Sequence, residues 1–360
     1  MTLARGLARR VGGPLLKTFD QDPPGSRTIG AAVTLTDVAR EARVGESTAS
    51  RVLRNQGSFS EKTRQDVLQA AARLGYVPNR IAGTLASTGS KLIGILIPSL
   101  TNIVFPDLLR GANAVLDAGG FQSVIGVTDY SPAREETLIE SLLSWRPHGL
   151  LIAGVEHTDR ARAMLRGAGI RVAELLDVDL DPGATPIDIV VGYSNRAAGR
   201  ASARHLIERG YRRIGYVGHD PSFDLRAKKR FEGFSAALAE AGLKLAGEEI
   251  VRGPSSVEAG HHGLARLHET NPALDAVYFS NDDMALGGYF LCLARSITVP
   301  QQLALFGYNG IDAARFTPQP LSTVRTPRVA VGETGARLVC STEPGAVIDL
   351  GFELIAGATT

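Results

Sequence analysis

Apolar residues recur at helical spacing in three short stretches near the N-terminus, and the texture then changes. Leu35, Val38, Ala39 and Ala42 share one face of a helix that opens at Thr34, where Asp37, three residues on, completes a capping pair. A turn at Arg43-Val44-Gly45 leads into a second helix, Glu46 to Arg54, with Thr48, Ala49, Val52 and Leu53 at helical spacing. Ser60 caps a third, which runs to Leu74 with Val67, Ala70, Ala71 and Leu74 on one stripe and ends at Gly75. Residues 1–32 show no period and mix arginine with Gly12-Gly13-Pro14 and Asp22-Pro23-Pro24-Gly25, the pattern of a disordered extension. Asn79 to Ser90 is rich in small residues without an apolar face, which predicts a linker that becomes helical only when supported.

From Lys91 onward the pattern alternates between apolar strands and amphipathic helices. Strands are expected at Leu92–Ile97, Ser123–Val127, Gly149–Ala153, Arg171–Leu175, Ile187–Val191, Arg213–Val217, Ala276–Phe279 and Leu303–Phe306. Helices are expected between them, among others at Pro106–Gly119, Arg134–Ser144, Ala197–Arg209 and Phe231–Ala241. Strands that alternate with helices form parallel sheets covered on both faces. So many strands predict an α/β fold of two doubly wound parallel subdomains, with ligands at the C-terminal ends of strands. The expected organisation is an extension at 1–32, a three-helix unit at 33–78, a linker at 79–90 and the α/β body at 91–360.

Charge sharpens this division. The net charge is +2, yet residues 1–80 hold 13 Lys and Arg against 7 Asp and Glu, leaving 26 against 30 in the remainder. A basic segment ahead of a mildly acidic body points to nucleic-acid contact confined to one end. No apolar run approaches a membrane span: Leu92–Ile97 is broken by glycine and stopped by Pro98. The arginine-bearing start lacks the apolar core of a secretory signal, and two cysteines, Cys292 and Cys340, make neither a metal spacing nor a disulfide framework. A reducing cytoplasmic setting is the expectation.

Two short helices joined by a glycine-containing turn make a helix-turn-helix. On spacing alone, DNA binding and an ordinary helical hairpin both remain open. Ala39 and Ala42 permit close packing, and the second helix exposes Glu46, Ser47, Ser50 and Arg51, side chains suited to base edges. The residues themselves carry more. Val33-Thr34-Leu35-Thr36-Asp37-Val38-Ala39, Ser50-Arg51-Val52-Leu53, Lys62-Thr63-Arg64 and Leu74-Gly75-Tyr76-Val77-Pro78-Asn79-Arg80 together resemble the headpiece of the lactose-repressor (LacI/GalR) family. The resemblance continues in order through Lys91-Leu92-Ile93-Gly94, His205-Leu206-Ile207-Glu208-Arg209-Gly210, Asn281-Asp282-Asp283-Met284-Ala285-Leu286-Gly287 and Phe306-Gly307-Tyr308-Asn309, covering about residues 33–355. Ser99-Leu100-Thr101-Asn102, Phe105, Leu143-Ser144-Trp145 and Asp349-Leu350-Gly351-Phe352 are most similar to the gluconate-operon repressor branch.

The resemblance implies a regulator with a helix-turn-helix headpiece and a body of the periplasmic sugar-binding-protein type. It implies that the second helix enters the major groove with Glu46, Ser47 and Arg51 toward base edges, where Arg51 suits guanine through O6 and N7. Thr36, Thr48, Ser50 and Asn55 are placed for phosphates, which fix register. An exposed Glu46 in a first helical turn also serves simply as a dipole partner. Asn79 and Arg80 open a hinge segment that folds on the operator, and Leu85 takes the position of a minor-groove wedge. Gly83 lowers that segment's helix propensity by about 1 kcal/mol relative to alanine, making it more dependent on DNA. In the body the resemblance gives Arg230 an effector role, with Asp177, Asn281, Asp282 and Asn309 around it and Phe105 as an apolar wall.

Two departures from the family stand out. Asn309 occupies a position where the family usually has aspartate, which makes the pocket less negative and suits a sugar acid such as gluconate over a neutral sugar. Ser341-Thr342-Glu343-Pro344 interrupts the chain where the last helix should continue. The implied partners are pseudopalindromic operator DNA, a sugar or sugar-acid effector and a second copy of the chain in a homodimer, with no membrane, metal or cofactor. An enzyme is disfavoured: Gly215-Tyr216-Val217-Gly218 lacks the full dinucleotide fingerprint, and neither HExxH nor GxSxG occurs. A secreted sugar-binding protein is disfavoured by the headpiece.

Overall fold

The computed structural model describes residues 33–53, 55–76, 90–222 and 224–360. They belong to two compact units, one within residues 1–85 and the other within 86–360. The expected extension at 1–32 and the hinge residues Asn79, Arg80, Gly83 and Leu85 lie outside the described residues.

The first unit holds α1 (Leu35–Glu41), α2 (Glu46–Leu53) and α3 (Glu61–Leu74). Helices of this length are marginal alone, so caps and packing must carry them. At α1 the Thr34 hydroxyl accepts from the Asp37 amide at 3.3 Å, and the Asp37 carboxylate accepts from the Thr34 amide at 3.0 Å. Ser60 caps α3 through the Thr63 amide, and Gly75 closes it at φ +66°, a conformation that suits glycine. Val38, Ala39, Ala49, Val52, Val67, Ala70 and Ala71 bury themselves against one another, with Leu35, Ala42 and Leu74 at the rim. The apolar stripes read from the sequence are this core.

The second unit begins with β1 (Leu92–Ile97), α4 (Val104–Ala118), β2 (Gln122–Val127), α5 (Pro132–Ser144), β3 (Gly149–Ala153), α6 (Asp159–Gly167), β4 (Arg171–Leu175) and β5 (Ile189–Gly192). It continues with α7 (Asn195–Glu208), β6 (Ile214–His219), α8 (Leu225–Glu240), β7 (Gly247–Val251), α9 (Val257–Thr270), β8 (Ala276–Phe279), α10 (Asp282–Ala294) and β9 (Ala304–Phe306). After β10 (Thr323–Arg325) come α11 (Arg328–Val339), β11 (Val347–Asp349) and β12 (Glu353–Ile355). One parallel sheet has the order β2-β1-β3-β4-β5-β11 and the other β7-β6-β8-β9, while β10 and β12 pair antiparallel. The last helix stops at Val339, and the interrupted segment beyond it supplies β11 beside β5.

Alternation along each strand serves two layers of helices. In the first sheet Ile93, Ile95, Ile97, Leu151 and Ala173 join α4 and α11, while Leu96, Leu150, Ile152 and Val172 join α5 and α6. In the second, Tyr216, Tyr278 and Phe306 face α7 and α8, while Val217, Val277, Phe279 and Leu305 face α9 and α10. The edge strand β7 (Gly-Glu-Glu-Ile-Val) was not anticipated, because its half-exposed, charged sequence breaks the apolar run that marks a buried strand.

Three helix pairs meet through reciprocal glycines. A Cβ on Gly111 would lie 2.1 Å from the Val329 carbonyl oxygen, and one on Gly332 2.1 Å from that of Leu108. The same reciprocity joins Gly199 to the Arg230 carbonyl (1.9 Å) and Gly233 to that of Arg196 (2.1 Å). It recurs between Gly260 and Met284 (2.0 Å) and between Gly287 and Val257 (1.9 Å). Each pair, α4 with α11, α7 with α8 and α9 with α10, therefore packs backbone against backbone, which only the absence of a side chain permits. Gly199→Ala is expected to push α7 and α8 apart and cost about 1–3 kcal/mol. Gly167→Ala, where the added Cβ meets nothing within 4 Å, should instead gain about 0.4–1 kcal/mol. Urea unfolding of both variants checks this, and equal stability in the two would contradict the packing account.

Candidate functional site

In the first unit the turn between α1 and α2 presents one face of α2. Glu46, Ser47 and Arg51 are exposed there, Thr48 and Ser50 are half-buried, and Thr36 and Asn55 are exposed nearby. Asn55 takes the left-handed conformation, φ +54°, just beyond α2. The Arg51 guanidinium lies 5.5 Å over the Phe59 ring and against Gly57, where a Cβ would come within 2.7 Å of its Nη2. The long side chain is thereby held along its own unit rather than left to wander, which lowers the entropy it loses on contact with a partner.

In the second unit the C-terminal ends of the two parallel sheets frame a cleft of about 340 Å³, lined among others by Ser99, Asn102, Tyr130, His219, Asp224 and Ser255. An adjoining cavity of about 120 Å³ shares Tyr130 and Asp224 and reaches Glu156 and Arg226. Helix α8 supplies the charge. Arg226, Lys229 and Arg230 lie on one face of it, together with Gly233, Phe234 and Ala237, and all six are buried. Asp224 caps the helix, accepting from the amides of Arg226 and Ala227, and its carboxyl is held far below the usual range: burial would raise it, but the Arg226 guanidinium, His219 and Arg230 outweigh that.

Arg230 donates from Nη1 to Asn195 Oδ1 at 3.1 Å and from Nη2 to the Ser280 carbonyl at 3.4 Å, and its guanidinium sits 4.1 Å over the Tyr308 ring. Its Nε has no hydrogen-bond partner, and no carboxylate of the described residues comes within 4.0 Å of it. Its two helical neighbours differ: Lys229 reaches Asp177 at 2.7 Å, and Arg226 Nε lies 3.4 Å from Asp224. Among the described residues Arg226 Nη1 also lacks a partner, while its guanidinium stands 5.4 Å over Phe105, the buried ring that meets Tyr130 edge-on. Asn281 Oδ1 accepts from Asn309 Nδ2 at 3.0 Å, which leaves Asn281 Nδ2 unpaired. Asn309 itself has φ +114° and is held there by its amide on the Val324 carbonyl at 2.8 Å and by Arg328, which donates to its carbonyl. Buried donors without partners are what a polyhydroxylated anion would satisfy.

Two expected ligand groups are engaged elsewhere. Asp282 accepts from the Thr323 hydroxyl at 2.7 Å and from the Ile311 amide at 2.9 Å, with burial pushing its pKa up to about 6; it ties the loop that carries Asn309 to α10. Asp177 accepts from Lys229 and, at 2.9 Å, from the Asp179 amide; burial, the larger influence, raises its pKa. Asn195, Asp224, Arg226 and Lys229 were missed by sequence reasoning. For the cations a signal existed: positions 226, 229, 230, 233, 234 and 237 form one helical stripe, so a run that reads as a solvated charge cluster shares the face of Gly233 and Phe234.

The loop after β3 is anchored by a second charged cluster. His157 Nδ1 lies 2.7 Å from Glu135 and Nε2 lies 3.4 Å from Glu174, with the ring fully buried. Burial alone would lower its pKa, but the hydrogen bonds and charges of the two glutamates prevail and push it up to about 9. This fixes the neighbouring Glu156, which pairs with Lys229.

Residues 34–79 match the family model described as bacterial regulatory proteins, lacI family, and residues 90–349 that of periplasmic binding proteins and sugar binding domain of LacI family. The chain is 40% identical over 341 residues to the HTH-type transcriptional regulator GntR of Pseudomonas aeruginosa, which covers 93% of this chain and 97% of that protein. It is 30% identical to the HTH-type transcriptional regulator IdnR of Escherichia coli over 336 residues, 91% of this chain and 98% of that one. Among solved structures, a LacI-family transcriptional regulator from Silicibacter pomeroyi aligns with a TM-score of 0.85 and 42% identity over 91% of this chain and 99% of that one.

The His157 cluster makes stability depend on pH. An unfolded histidine releases its proton near 6.5, whereas the folded one keeps it to about 9. The stabilisation is therefore complete below 6.5 and is lost as pH rises through about 9, by about 3 kcal/mol in all. Urea midpoints measured from about pH 6 to about pH 10 should fall in the wild type and flatten in His157→Gln. Parallel slopes would remove His157 as the cause.

Proposed function

The chain belongs to the lacI family of bacterial regulatory proteins and is a helix-turn-helix transcription regulator, not an enzyme; from that premise we propose that it is a homodimeric cytoplasmic repressor released from operator DNA by a sugar acid, gluconate being the first candidate. The observation that carries the effector class is Arg230: a buried guanidinium, 5% exposed, which among the described residues has an unpartnered Nε and no carboxylate within 4.0 Å. A buried charge requires a counter-charge, and a ligand carboxylate supplies one in a bidentate geometry. Hydroxyls along such a ligand suit Asn281 and Asn309, and Phe105 with Tyr130 suits its carbon chain. A neutral sugar would leave Arg230 with only the more distant charge of Asp224. The resemblance to gluconate-operon repressors and the amide at position 309 point the same way.

On the DNA side, exposed Glu46, Ser47 and Arg51 on α2 read base edges, with Thr36, Thr48, Ser50 and Asn55 on phosphates. One such face reads only a few base pairs, so specificity needs two in a dimer on a pseudopalindromic site. Phe290 and Leu293, one turn apart on α10 and about half exposed, and Phe316, 79% exposed, offer apolar surface for a second copy. The ligand releases DNA only by binding one arrangement of the two sheets better than the other, a coupling of about 1–3 kcal/mol.

Arg51→Ala is expected to cost about 1–3 kcal/mol of operator affinity and to relax preference at one base pair in each half-site. Uniform weakening on all sequences in a footprinting series would demote Arg51 to a phosphate contact. Arg230→Ala should abolish calorimetric binding of gluconate and leave the protein on its operator at every gluconate concentration. Tight binding of glucose with none of gluconate would sink the sugar-acid assignment. Undiminished gluconate binding by the variant would place the carboxylate elsewhere.

A further inference from the structure

Lys229 is a buried cation beside Arg230 on α8. It projects from α8, on the second sheet, and reaches two loops of the first: Asp177, just beyond β4, at 2.7 Å, the Asp179 carbonyl at 2.5 Å, and Glu156, just beyond β3. Lys229 is 5% exposed and Asp177 fully buried. The nearby Asp179 is engaged otherwise, accepting from the Ser194 hydroxyl at 2.6 Å and the Arg196 amide at 2.7 Å. The groups that face Asp177 are thus Lys229, Glu156 and the Asp179 backbone.

We propose that Lys229 is a specificity-determining residue: by pairing with Asp177 and Glu156 it withdraws two carboxylates from the ligand's reach and leaves Arg230 as the charge an incoming molecule must match. This rests on the sugar-acid reading of the cleft. Without the lysine, Glu156, which lines the smaller cavity, and the buried Asp177 would both lose their counter-charge. They would repel a ligand carboxylate and offer acceptors to the hydroxyls of a neutral sugar instead, since carboxylates accept and guanidinium groups only donate. With the lysine in place, Asp177 serves as its counter-ion rather than as a sugar ligand. Specificity for the anion is then a difference between two arrangements of charge around one fixed guanidinium.

Calorimetry on the full chain separates this from a mere strut. Lys229→Met should weaken gluconate binding about tenfold or more near neutral pH, as an unmatched like charge close to a ligand does. The loss should shrink as pH falls toward about 5, because burial favours the protonated form of Asp177 once the lysine charge is gone. Lys229→Met/Asp177→Asn should regain most of the affinity, and Lys229→Arg, which keeps the charge, should bind as the wild type. Gluconate binding by Lys229→Met that equals the wild type at every pH overturns the proposal. So does a loss that neither acid nor the double variant repairs, because the lysine would then act through geometry alone. Should the wild type bind glucose and not gluconate, the sugar-acid reading falls, and the charge-setting role with it.

Discussion

Arg230 is buried because its backbone carbonyl can press against a helix that has no side chain at the point of contact. Gly199 receives that carbonyl, and Gly233, one turn further along α8, receives the carbonyl of Arg196 in return. The two contacts fix both the distance and the rotation of α8. Rotation is what matters, since Arg226, Lys229, Arg230, Phe234 and Ala237 lie on one stripe and must all turn inward together. A helix held half a side chain further out would put three cations at the rim of the cleft, where water would screen them. The repeat of this reciprocal glycine contact in the other two helix pairs makes it the common means by which the body is packed.

Burial then converts a set of ordinary charges into a discriminating one. In water the three buried cations of α8 would be nearly equivalent. Inside, each is defined by its neighbour: Arg226 by Asp224, Lys229 by Asp177 and Glu156, and Arg230 by a tyrosine face, an amide and a carbonyl. Among the described residues Arg230 is the one of the three with no carboxylate within 4.0 Å, Asp224 acting on it from further off, and low local polarity makes that difference count. The loops that hold the partner acids are themselves anchored: Glu156 stands beside the His157 cluster, and Asp282 pins the loop bearing Asn309.

The route from ligand to DNA begins in the topology of the body. The chain passes from the first sheet to the second after β5, returns between β10 and α11, and crosses again between β11 and β12. Elements from both sheets contribute to the cleft, so a ligand that bridges them favours one relative arrangement by its difference in affinity. Lys229 already bridges them through Asp177 and Glu156.

Much of this was legible in the residues. The capping pair at Thr34 and Asp37, the stripes of α1 to α3 and the alternation of Leu92–Ile97 state local geometry directly, because period and caps are properties of neighbouring residues. The family motifs likewise singled out Arg230 on α8 and Asn281 and Asn309 just beyond strands. What the sequence could not state is which charge meets which. Lys229 lies next to Arg230 in the chain and 52 residues from Asp177, so their pairing is set by how α8 packs, not by spacing. For the same reason Asp177 and Asp282 read as ligands and are in fact engaged by Lys229 and by Thr323 with Ile311. The 3.6-residue period of α8 was in the sequence, but charged residues on it give no sign of burial until Gly199 and Gly233 bring two backbones together. Periodicity determined the elements; tertiary packing decided which buried cation met a carboxylate and which met an amide, a carbonyl and a tyrosine face.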